Sequence, residues 1–240
     1  MLQFDAAGMD HKEINRKLQT VQERCELTNC CGQRFIGAGL SDREIQIKGT
    51  PGNALGAYLN GASITIYGNA QDAVGDTMNA GKIVVHGNIG DAAGYAMRGG
   101  KILVKGNAGY RAGIHMKAYR DKIPQMVIGG TAGSFLGEYQ AGGVIIVLWL
   151  GEENERIVGN SPCTGMHGGK MFLRSDCEDI TFPQQVTARP AEETDLAELK
   201  TLLHDFCSAF DYDISMVLNA PFTVITPDSA NPYRQMYVAN

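Results

Sequence analysis

The 240-residue chain lacks several things, and each absence removes a class of protein. No apolar run approaches the roughly 20 residues needed to span a bilayer; the longest, Gly142–Gly151, is far shorter. The opening Met1-Leu2-Gln3-Phe4-Asp5 has no basic segment followed by an apolar one, so no export signal is legible. Lysine and arginine total 21 against 26 aspartates and glutamates, a formal charge of −5. That balance offers no basic stripe for nucleic acid. The six cysteines (Cys25, Cys30, Cys31, Cys163, Cys177 and Cys207) follow neither a disulfide spacing nor the close runs that hold an iron–sulfur cluster. Without an export signal, reduced thiols and a cytoplasmic location are expected. No G-x-G-x-x-G opens a helix after a strand, so a dinucleotide site is not expected either.

Glycine is abundant instead, with 30 residues, and it is periodic. Gly49, Gly68, Gly87 and Gly106 stand 19 residues apart, and Gly130 follows after 24. A second series lies seven residues behind each: Gly56, Gly75, Gly94, Gly113 and Gly137. Every first-series glycine precedes Asn or Thr, and an alternating segment precedes it: Ile45/Ile47, Ile64/Ile66, Ile83/Val85, Ile102/Val104 and Met126/Ile128 share one face. The intervening positions, from Gln46 and Thr65 to Lys105, are mixed and read as an outward face. Two more apolar columns repeat, Leu55/Val74/Ala93/Ala112/Leu136 and Leu59/Met78/Met97/Met116. A period near 20 residues with inward groups on more than one side predicts a single-stranded parallel β-helix of about eight turns.

Residues 41–175 are assigned to this β-helix, 1–40 to an N-terminal helix with an irregular first turn, and 176–240 to a helical cap with a docking tail. Asp10–Glu26 reads as a helix, with Asp10 and Glu13 at its start and Ile14, Leu18, Val21 and Cys25 at helical spacing. It would close an open end of the stack. Five extra residues around Tyr119–Pro124 are expected to bulge from one corner. Trp149 stands where the next glycine is due, which places it at a widened corner with its indole partly exposed; further insertions fall around Glu152–Arg156 and Asn160–Thr164. Asp195–Phe210 is expected to be a helix with a stripe of Leu196, Leu199, Leu202, Leu203, Phe206 and Phe210, and Asp213–Asn219 a second, short one. The tail Pro221–Asn240 is too apolar to stand free. It is expected to dock on the far end of the solenoid or on another chain.

The segments from Ile47 to Tyr58, from Gly75 to Gly87 and from Gly165 to Gly169 resemble the GXGXG domain, and the resemblance runs from about Asp5 to Arg174. That domain closes the large subunit of glutamate synthase and occurs as a separate chain in the archaeal-type enzyme; Asn231–Tyr237 is similar to the stand-alone version. One of the subunits of formylmethanofuran dehydrogenase is similar across the coils alone, which makes a scaffold in that kind of complex the rival expectation. The resemblance implies a right-handed β-helix and a non-catalytic structural subunit. FMN and an iron–sulfur cluster would then sit in partner chains, alongside a glutamine amidotransferase, and no cofactor or metal in this one.

The residues fit that reading. His86, His115 and His167 lie on or beside coils but in different columns, and read as surface or corner histidines in preference to a zinc site. Cys30-Cys31 reads as a pair of small, partly buried side chains. Asp72, Asp76 and Asp91 read as a solvated strip in preference to an acid/base pair. The ten glycines of the two series are structural, not phosphate-binding. A self-contained metal or sugar enzyme on a β-helix is the catalytic alternative, and self-association is left open.

Overall fold

The computed structural model describes residues 1–21, 24–151 and 156–228. Nine parallel strands stack in chain order: β1 (Leu2–Asp5), β2 (Cys25–Cys31), β3 (Glu44–Thr50), β4 (Asn60–Tyr67), β5 (Ala80–Val85), β6 (Lys101–Val104), β7 (Gln125–Ile128), β8 (Ala141–Val147) and β9 (Gly168–Leu173). The array is a parallel β-solenoid of about eight turns. Register is set by like residues: Ile45 pairs with Ile64, Ile64 with Ile83, Ile83 with Ile102 and Ile102 with Met126. All five are fully buried in one continuous core, as are the Leu55 and Leu59 columns. A one-residue shift would turn that column into water, so the apolar alternation locks the stack.

Only one side of each coil is a full strand. A second side is a line of single bridges, Ala70–Ile89–Ala108–Ala132–Val158. The third is a tight turn carrying three left-handed residues at alternate positions, such as Ala73, Gly75 and Thr77, or Arg111, Gly113 and His115.

The N-terminal region departs from the sequence reading. The helix α1 spans His11–Thr20, not Asp10–Glu26, and Asp10 caps it by accepting from the Glu13 amide at 2.8 Å. Cys25 opens β2 instead, pairing in register with Leu2 on one side and Ile45 on the other. So the opening residues, for which the sequence predicted no strand, form one. Two strands, β1 and β2, precede the first coil of the glycine series, and an irregularity between Leu27 and Cys30 puts Cys30 opposite Gly49 and disguises the repeat in β2. Ile14 and Leu18 of α1 are buried against Leu27 and Ala6 in the core, so the helix does cover apolar interior.

At the far end β10 (Val186–Pro190) and β11 (Thr223–Pro227) extend the sheet. β11 pairs antiparallel with β9 and β10 pairs antiparallel with β11. The tail thus docks on the far end through Pro227; Tyr233, Met236 and Tyr237 lie outside the described residues, as do positions 152–155 of the expected insertion. Between these strands α2 (Glu193–Phe210) crosses the outer face of the sheet, and α3 (Ile214–Leu218) follows. Lys170 of β9 meets Glu198 near the start of α2, whereas His86, just after β5, meets Phe210 at its end. The helix therefore runs backwards over five strands. About 27 Å of helix spans about 19 Å of sheet. Beneath it Val84, Leu103, Val127, Ile146 and Phe172 form a second core with Leu199, Leu203, Phe206 and Phe210. The outward face is solvent-directed only on the earlier coils.

Candidate functional site

The chemistry-bearing side chains of the coils bond along the stack. The Asn88 amide donates to Asn69 Oδ1 at 2.8 Å, the Asn107 amide to Asn88 Oδ1 at 2.8 Å, and the Thr131 amide to Asn107 Oδ1 at 2.8 Å. A second ladder uses carboxylates: the Asp91 amide donates to Asp72 Oδ1 at 3.0 Å and the Tyr110 amide to Asp91 Oδ1 at 2.8 Å. Asp76 accepts from Thr77 Oγ1 at 2.7 Å. The glycines make these ladders possible. A Cβ on Gly106 would collide with Asn88 Oδ1. Gly75, at φ +69°, faces the core, and a Cβ there would lie 2.6 Å from Ile102 Cδ1 two strands on. In the last coil Cys163 takes that turn position, at φ 60° and fully buried, with Sγ 3.6 Å from Met171 Sδ. The second strand on would lie beyond β9, where β11 enters antiparallel, so a small side chain fits. Burial pushes its thiol up to about 12.

The histidines do not converge. His86 stacks on Tyr67 at 4.9 Å and meets Phe210 edge-on at 5.2 Å. Burial, and then Lys105, lower its pKa from 6.5. His115 stacks on Tyr139 at 5.2 Å with rings 10° apart, and also touches Tyr95. His167 places Nδ1 3.0 Å from the Gly165 carbonyl oxygen. Among the described residues, no three His, Cys, Asp or Glu side chains group as metal ligands. Cys30 points into the core, where burial raises its thiol to about 11, and Cys31 points outward. Adjacent residues of a strand face opposite ways, so the two do not form one site.

Two clefts lie at the far end, where the sequence placed the widened corner and the insertions but no cleft. One, of 640 Å³, is lined by Trp149, Arg174, Asp176 and Pro221, among others. Trp149 sits at the expected corner, left-handed at φ 49° and half-buried. Its Nε1 has no partner among the described residues. Arg174 Nε donates to the Val217 carbonyl at 2.8 Å. The other cleft, of 430 Å³, is lined by Asn160, Ser161 and Thr181 with Arg156 and Asp179, which lie 3.5 Å apart. The most distinctive surface lies elsewhere, on the left-handed corners of the middle coils. Tyr95, Tyr110 and Tyr139 are exposed there, Arg111 lies over the rings of Tyr110 and Phe135 at 4.9 and 5.3 Å, and Arg111 Nε donates to Glu138 at 2.7 Å.

These features define a class: a glycine-cornered parallel β-solenoid whose polar columns bond coil to coil and whose distinctive side chains gather on outer corners. The particular family follows from sequence comparison. Residues 8–227 match the GXGXG motif family, and the chain belongs to it. A relative from Methanocaldococcus jannaschii, described as uncharacterized protein MJ1350, is 39% identical over 248 residues, covering 98% of this chain and 95% of its own length. No helix among the described residues is long and apolar enough to cross a membrane.

Proposed function

We propose that this chain is a structural, non-catalytic subunit of a glutamate synthase-type complex, which converts glutamine and 2-oxoglutarate to glutamate. It would hold an amidotransferase and an FMN/iron–sulfur synthase unit in fixed relation, so that ammonia released at one reaches the other. Family membership motivates the reading, since GXGXG domains are expected in that enzyme. The observation that carries it is the ladder of Asp72 and Asp91, whose carboxylates accept backbone amides of the next coil and so serve the stack. A stack bonded in this way is stiff, and stiffness suits a spacer between two enzymes. FMN and the cluster belong to the partner chains in this reading.

The test is purification of the chain alone and together with candidate amidotransferase and synthase chains of its source organism. The expected outcome is a colourless protein without glutaminase activity that forms a stable complex with both. A preparation carrying stoichiometric flavin, cluster or zinc, or one that binds neither chain, overturns the proposal.

A further inference from the structure

The 24-residue interval between Gly106 and Gly130 contains a finger that the stack does not need. β6 and β7 pair in the same register as their neighbours, Lys101 with Gln125 through Val104 with Ile128, although the connection is longer. The extra residues close on themselves: the Tyr119 and Lys122 amides each donate to the other's carbonyl at 3.0 Å, around Arg120 at φ 57°. The stem is gripped by the adjacent coil, where a Cβ on Gly142 would collide with the Ala118 nitrogen and one on Gly143 would lie 2.6 Å from Pro124 Cγ. This is a rigid projection, not a slack loop.

Its tip carries apolar groups into water. Ile123 is 63% exposed, more than any other large hydrophobic residue among the described residues except two methionines, and Tyr119 is 50% exposed with the Arg120 guanidinium over its ring. Around them stand three exposed cations, Lys117, Arg120 and Lys122, against one carboxylate, Asp121. None of the three cations has a carboxylate within 4.0 Å among the described residues, so all three charges are open to a partner. On a chain of net charge −5, three cations against one carboxylate on a single projection make a local basic patch.

The geometry points to the finger 117–124 as the docking element through which this chain engages an acidic partner subunit, with Ile123 and Tyr119 entering an apolar notch rimmed by carboxylates. The inference rests on the subunit reading above and names its contact. A pre-formed projection loses little conformational entropy on binding, and apolar anchors ringed by complementary charge are the pattern of energetic centres in interfaces. The cations set the approach, and Ile123 sets the lifetime.

The experiment measures binding of the full chain to separately purified amidotransferase and synthase chains of the same organism. Ile123→Asp is expected to weaken binding to one of them by about 30-fold, mainly through faster dissociation. The triple change Lys117→Glu, Arg120→Glu, Lys122→Glu is expected to slow association and remove its salt dependence. Tyr58→Ala, at an exposed tyrosine on another coil, should leave binding unchanged. If the unmodified chain binds and Ile123→Asp binds equally well, the finger is wrong and the subunit reading stands. An unchanged association rate for the triple variant rules out the acidic partner. If the unmodified chain binds neither protein, both readings fall. A dimer of the pure chain that Ile123→Asp dissolves would overturn the inference in favour of a second copy.

Discussion

Lys101 on β6 places its ammonium 2.6 Å from Asp205 Oδ2 on α2, joining the solenoid's outer face to the helix that covers it. Both side chains are a third exposed or more, so the pair aligns the helix more than it holds it. The holding falls to Phe206, which is fully buried between sheet and helix.

Asp205→Ala is therefore expected to cost below about 1 kcal/mol, and Phe206→Ala about 3–5 kcal/mol. Denaturant unfolding of the two variants separates them. Equal losses would mean that α2 is held by charge.

Gly75→Ala is expected to destabilise by about 1–3 kcal/mol, from left-handed strain and from pressing a methyl on Ile102. Ile102→Val removes the atom it meets. Alone that change costs about 0.5–1.5 kcal/mol; combined with Gly75→Ala it should cost less than the sum. A strictly additive double mutant would place the two residues apart.

His86 gives a pH dependence with a defined sign. Its folded pKa lies below 6.5, the ordinary value, so the unfolded chain takes up the proton first as pH falls. Its contribution is intact above 6.5, declines as pH drops toward the folded pKa, and levels off below it. His86→Gln should flatten the stability profile over that window. Asp205 acts lower down: Lys101 holds its carboxyl below 3.8, so its stabilisation is present above that value and is lost as pH falls further.

The thiols offer a labelling test. Five of the six cysteines are buried and Cys31 alone is exposed. An alkylating reagent should modify Cys31 rapidly in the folded chain and all six after denaturation, read by mass spectrometry of the peptides. Early labelling of Cys163, whose thiol burial pushes up to about 12, would contradict the packing of the last coil.

The inward columns were legible because strand alternation and the glycine period agree, and every isoleucine they name is buried. The helix over the sheet was legible only as a helix. Its place was written in the outward column, which is polar at Gln46 and Thr65 and turns apolar at Val84, Leu103, Val127, Ile146 and Phe172. A strand apolar on both faces is covered on both, and that change marks where α2 begins to lie. β2 was hidden by its irregularity at Leu27 and Cys30. The destination of Asp72 and Asp91 could not be read from composition, because a solvated carboxylate and one bonded to the next coil have the same spacing.

The most direct test of the structural-subunit account is glutamate formation by reconstituted amidotransferase and synthase chains with and without this protein. The account predicts that omitting it sharply lowers the glutamine-dependent rate and leaves the rate with added ammonia nearly unchanged. Equal glutamine-dependent rates in its presence and absence would contradict it.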